Sequence, residues 1–116
     1  MRNFKTLGVW QKGMEILKQT YALTSSLPDT EKFGLVSQMN RAAVSIPSNI
    51  AEGASRSTQK DFRRFLEIAL GSTFELETQL IAVQELSLVV ENESKTLAGL
   101  IDEDQKMLIA FMKKLD

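Results

Sequence analysis

The sequence predicts an all-α protein, an antiparallel up-down-up-down four-helix bundle with a proline bend in its second helix. Three observations predict it. Apolar residues recur at steps of three and four, not two. Only two prolines and six glycines interrupt 116 residues. The polar breaks leave four helix-length segments joined by short connections, which is how antiparallel helix neighbours are linked. A chain of this length is expected to form one domain, spanning residues 1–116.

The first helix is expected over residues 7–26, with Trp10, Met14, Leu17 and Tyr21 inward and Thr6 as N-cap. Pro28, Asp29 and Thr30 then make a turn. The second helix is expected over residues 31–53, with Val36, Met39, Ala43, Ile46 and Ile50 on one face. Pro47 sits inside that face, and its missing N–H and crowding ring predict a kink or pause near Val44, eased by Ser45, Ser48 and Asn49. Gly53 suits the left-handed conformation past a helix end.

Thr58 to Asp61 matches a capping box opening the third and longest helix, residues 58–89. Phe62, Phe65, Leu66, Ala69, Thr73, Leu76, Leu80, Val83 and Leu86 form its inward face. A second apolar stripe of Ile68, Phe74, Ile81 and Leu88 lies off that face and is the candidate oligomer interface. Gly71 in mid-helix costs about 1 kcal/mol of propensity, which close approach of another helix would offset. The fourth helix is expected over residues 94–115, with Leu97, Leu100, Ile101, Leu108, Phe111 and Leu115 inward.

Composition narrows function. Hydrophobic and charged fractions of 43% and 25% are those of a water-soluble globular domain. No apolar run approaches the ~18 residues of a membrane span, and the first five residues lack a signal-peptide core, so the expected location is cytoplasmic. There is no cysteine and no histidine. That removes thiolate and His-ligated metals, the Ser-His-Asp triad and the Glu-x-x-His pairs of di-iron bundles. No enzyme activity, cofactor or metal is expected. Charge is uneven: residues 1–64 carry ten Lys/Arg and five Asp/Glu, residues 65–116 four and ten. A basic half and an acidic half favour self-association, or a polyanion contact on one face.

Arg41, Arg56, Lys60, Arg63 and Arg64 cluster around the connection between the second and third helices, and Lys60, Arg63 and Arg64 stand at helical spacing. They are the candidate phosphate contacts. The plainer reading, solvated charges or intersubunit partners of Glu67, Glu75 and Glu77, carries the greater weight, because phosphate-binding patches usually accompany a basic domain. Glu52, Glu75 and Glu77 read as salt-bridge partners of Arg41 or Arg56 ahead of a carboxylate metal site. Ser57-x-x-Lys60 lacks the companion motifs of penicillin-binding enzymes. Trp10, Phe62 and Phe65 fall on inward stripes, as core residues do, ahead of any base-stacking role.

The run from Arg41 to Gly53, with Arg56, Phe62, Phe65-Leu66-x-Ile68-Ala69-x-Gly71-Ser72 and Glu75 to Leu80, resembles the bacterial four-helix-bundle proteins encoded by intervening sequences in 23S ribosomal RNA genes. Val9 to Lys12 and Phe33 to Leu35 extend the match over nearly the whole chain, loosening after Val89. That family is similar in turn to accessory proteins of diversity-generating retroelements, five-fold barrels with a basic surface for nucleic acid. The resemblance implies a homo-oligomer, first a pentamer, and an RNA or other nucleic-acid partner. With 14 basic and 15 acidic residues here, that partner would have to meet a local patch. The alternative is a protein-protein scaffold with no nucleic-acid role.

Overall fold

The computed structural model describes residues 2–115. Four α-helices carry the fold: α1 (Gly8–Thr24), α2 (Ser37–Ala54), α3 (Gln59–Glu85) and α4 (Glu91–Lys114), with no strand among the described residues. Each packs on two neighbours, α1 on α2 and α4, α3 on α2 and α4, closing a four-sided array of 43 × 23 × 19 Å. Contacting residues run in opposite chain directions across every seam. Thr24 meets Asn40 while Gly13 meets Ile46, and Arg63 meets Met112 while Glu77 meets Gln105. The enclosed core includes Ile16, Leu23, Met39, Ile46, Ile50, Phe62, Leu66, Leu76, Leu80, Leu97, Ile101 and Leu108. Burial of each such side chain is worth about 1.5–3 kcal/mol.

The inward face of α1 is not the expected one. Val9, Gly13, Ile16, Thr20, Leu23 and Thr24 are buried, whereas Trp10, Met14 and Leu17 are half-buried and Tyr21 is exposed. The face sits one position earlier, a rotation of about 100°. Gly13 and Thr20 carry no hydrophobic signal, yet both are buried. A β-carbon on Gly13 would lie 3.3 Å from Ile46 Cγ2, and the Thr20 hydroxyl is satisfied by donating to the Ile16 carbonyl. Thr6 is not the N-cap either. It belongs to a 3-10 turn, Phe4–Thr6, capped by Asn3, and Leu7 takes the N-cap position without a side-chain bond.

Between α1 and α2 the expected continuous helix is broken. A 3-10 turn, Asp29–Glu31, leads into a π-helical turn, Lys32–Val36, in which Gly34 is non-helical (φ −110°, ψ −107°). No pause occurs at Pro47: α2 is one helix from Ser37 to Ala54 with the buried proline inside it. The gap left by its missing N–H is flanked by side-chain bonds, Asn49 Nδ2 donating to the Ser45 carbonyl (2.7 Å) and Ser45 Oγ to that of Ala42 (2.9 Å).

Gly53 is not left-handed. It lies inside the last turn of α2, where α3 comes closest. Thr58 caps α3 as expected, its hydroxyl accepting from the Asp61 N–H at 3.1 Å. α3 stops at Glu85, short of Val89, in a Schellman turn. The Leu88 N–H bonds the Val83 carbonyl and the Ser87 N–H that of Gln84, with Ser87 left-handed at φ 57°. The expected core face of α3 is buried from Phe62 to Val83, but Leu86, past that stop, is 59% exposed. α4 begins three residues earlier than expected. It buries Ser94, Leu97, Ile101, Asp104, Leu108 and Met112, with Leu100, Phe111 and Leu115 half-buried against the core.

Candidate functional site

The five basic residues split into separate places. Arg41 lies fifteen residues before Arg56, roughly 20 Å along the helix axis, and pairs with Glu75 and Gln38. Arg56 pairs with Glu52 at 3.0 Å and stacks on Phe65 at 4.6 Å. Arg64 covers the same ring at 5.6 Å. Arg63 turns the other way, donating to the Met112 carbonyl at 2.8 Å and standing 3.8 Å from Glu67. Lys60 is exposed. The Arg–Glu pairs form within one chain, are mostly exposed, and are of the kind worth at most about 1 kcal/mol.

Because Arg63 reaches Met112, the C-terminal turn of α4, with Lys113 and Lys114, lies at the same end of the bundle as the α2–α3 connection. Arg2 joins it there. Its guanidinium stacks on Phe62 at 4.4 Å and donates to the Arg56 carbonyl (2.9 Å), the Ala54 carbonyl (3.5 Å) and Gln59 Oε1 (2.9 Å). A cavity of about 480 Å³ opens between Arg2, Ser55, Arg56 and Ser57. Nothing in the sequence relates position 2 to position 56, so Arg2 is absent from the sequence-derived cluster.

The apolar candidates also divide. Ile68, Phe74 and Ile81 are 41%, 55% and 49% exposed, but Leu88 is half-buried against the core. At about 100° per residue, Phe74 and Ile81 fall on one line of α3 and Ile68 lies roughly 120° away. Phe74 and Ile81 flank Glu77, which accepts from Gln105 at 2.9 Å, and exposed Ile109 stands one turn beyond Gln105. All three therefore border the α3–α4 seam. Beside them is a groove of about 300 Å³ lined by Glu67, Leu70, Gly71 and Phe74, and a β-carbon on Gly71 would touch nothing. The α1–α2 seam, across the array, is apolar too. Tyr21 and Val44, 47% and 39% exposed, flank the Thr24–Asn40 hydrogen bond, beside half-buried Trp10, Met14 and Leu17.

One charged group is hidden in the core. Asp104 is fully buried and neither carboxylate oxygen has a hydrogen-bond partner. Burial pushes its pKa up to about 7, against the pull of Lys12 and with the push of Glu103. Lys12 is itself held above its ordinary value by its 2.8 Å bond to Glu103. Among the described residues no acidic cluster of metal-binding size occurs, and no helix is long and apolar enough to cross a membrane.

No curated protein matches the chain. A crystal structure from Bacteroides thetaiotaomicron, a protein of unknown function from the S23 ribosomal protein family, is similar at 25% identity with a TM-score of 0.84. The match covers 90% of this chain and 98% of that one. The family model for the 23S rRNA-intervening sequence protein matches residues 5–110, and with four helices packed as described the chain belongs to that family.

Proposed function

We propose that this chain is a non-enzymatic, cytoplasmic assembly protein that forms a closed homo-oligomeric ring, with five subunits the number the retroelement resemblance suggests. The observation that carries it is the pair of unlike apolar seams, Phe74, Ile81 and Ile109 on one side and Tyr21 and Val44 on the other. Two different faces on opposite sides favour a head-to-tail contact, which closes into a ring when the rotation permits. Gly71 supports the same reading, since nothing within the subunit needs a glycine there. Light scattering at ~150 mM salt, where exposed charge pairs are largely screened, tests it. A mass of one subunit overturns assembly, and a mass of two overturns the ring.

The basic end of the bundle favours a second element of function, contact with RNA or another polyanion. Lys60 and Arg64 have no carboxylate partner among the described residues, so both are open to phosphate. Replacing both with alanine is expected to lower the slope of log K against log salt by about 2. If wild type binds no RNA even at low salt, the protein-protein scaffold reading replaces this one.

A further inference from the structure

We propose that the cavity at the α2–α3 connection is a phosphate-binding site in which Arg2 and Arg56 supply the charge and Ser57 a further hydroxyl donor. The inference deepens the polyanion reading above and is tested separately from it. Its basis is the way Arg2 is held. Two guanidinium nitrogens are anchored on the Arg56 carbonyl and Gln59 Oε1 at 2.9 Å, and Cζ lies 4.4 Å from the Phe62 ring centroid. Every one of those partners is neutral, so the group is fixed in place with no carboxylate partner among the described residues. Arg56, which also lines the cavity, is likewise held, over the Phe65 ring and by its 3.0 Å pair with Glu52, a carboxylate that does not line the cavity.

The four lining residues, Arg2, Ser55, Arg56 and Ser57, carry two positive charges and no negative one. Ser55 Oγ is committed to the Glu52 carbonyl at 2.6 Å, whereas the Ser57 hydroxyl has no partner among the described residues. Two guanidinium forks and a hydroxyl offer more donors than one carboxylate can accept, and a phosphate, with three or more oxygens and a double charge, meets them better. Both arginines are already immobilised, which removes much of the ordering cost of binding. The N-terminus of α3 opens beside the cavity and adds a field of the same sign. A free phosphate compound presents that group in full, and a nucleic-acid backbone presents its singly charged diester with two free oxygens.

Amide NMR of residues 55–60 titrated with inorganic pyrophosphate at constant ionic strength, with chloride as control, tests the site. Wild type is expected to give saturable shifts that chloride does not. Arg2→Gln is expected to weaken binding at least ~10-fold, and Arg2→Lys several-fold through loss of the fork. If Arg2→Gln proves misfolded, Ser57→Ala, at an exposed position, is expected to weaken binding about threefold. Shifts that do not saturate, or a folded Arg2→Gln with unchanged affinity, overturn the site. A parallel titration with a short RNA separates the sources, Arg2→Gln lowering the salt slope by about 1 if the backbone is the ligand. Pyrophosphate binding without RNA binding keeps the site and removes the nucleic-acid reading. RNA binding indifferent to Arg2→Gln, with no pyrophosphate binding, does the reverse.

Discussion

Gly53 of α2 and Phe65 of α3 approach so closely that a β-carbon on the glycine would lie 2.7 Å from that of Phe65 and 3.0 Å from Cδ1 of Phe62. One obstacle is the base of a side chain and the other a ring carbon of a fully buried phenylalanine, so an added methyl forces the helices apart. Gly53→Ala is expected to destabilise the fold by about 1–3 kcal/mol, despite the ~1 kcal/mol gain in helix propensity. Gly99→Ala, where nothing lies within 4 Å, is expected to stabilise by up to about 1 kcal/mol. Urea denaturation of the two variants compares them, and equal effects would refute the packing account.

Ser87 occupies the left-handed position that ends α3. A non-glycine residue there costs roughly 1–2 kcal/mol, offset in part by the lower entropy of its unfolded chain. Ser87→Gly is expected to raise stability by about 0.5–1 kcal/mol, read as a higher urea midpoint at unchanged m-value. A lower midpoint would mean that the side chain makes a compensating contact.

Asp104 makes stability depend on pH in a defined sense. Its folded pKa, about 7, lies above the ordinary 3.8, so between those values the native state holds a proton that the unfolded state has lost. Stability therefore falls as pH rises from about 4 to about 7 and is flat above, a loss on the order of a few kcal/mol. Asp104→Asn keeps the shape without the ionisation. It is expected to be more stable than wild type above pH 7, with the gap closing toward pH 4, in thermal melts of both proteins. A gap independent of pH would rule out the titration.

The two seams give the assembly a test that separates ring from dimer. In a head-to-tail ring Phe74→Asp and Tyr21→Asp each abolish the closed species, because every contact uses both faces. An equimolar mixture of the two variants is expected to form a heterodimer through the one intact pair of faces and to stop there. If Tyr21→Asp leaves a stable oligomer while Phe74→Asp yields monomer, association is like-on-like through the α3–α4 seam. Circular dichroism of each variant checks that these exposed positions leave the fold intact.

By itself the sequence determined the all-helical class, the core face of α3 and its Thr58 cap, because a period of 3.6 and a capping residue act within a few neighbours. Phe62, Leu66, Ala69, Leu76, Leu80 and Val83 are buried as their spacing requires. It also pointed to a basic cluster at the α2–α3 connection and to an apolar surplus on α3. Only the tertiary structure decided which way α1 faces, since Gly13 and Thr20 turn inward by fitting against α2 and by an internal hydrogen bond, neither of which hydrophobicity records. The same holds for the early stop of α3 at Glu85, for Arg2 beside Arg56, and for the placing of Phe74, Ile81 and Ile109 along one seam. Each depends on groups distant in the chain or on a backbone bond closing around one residue. Asp104 is the sharpest instance: its spacing on α4 puts it on the inward face, and only the closed bundle removes the water and partners that its carboxylate would need.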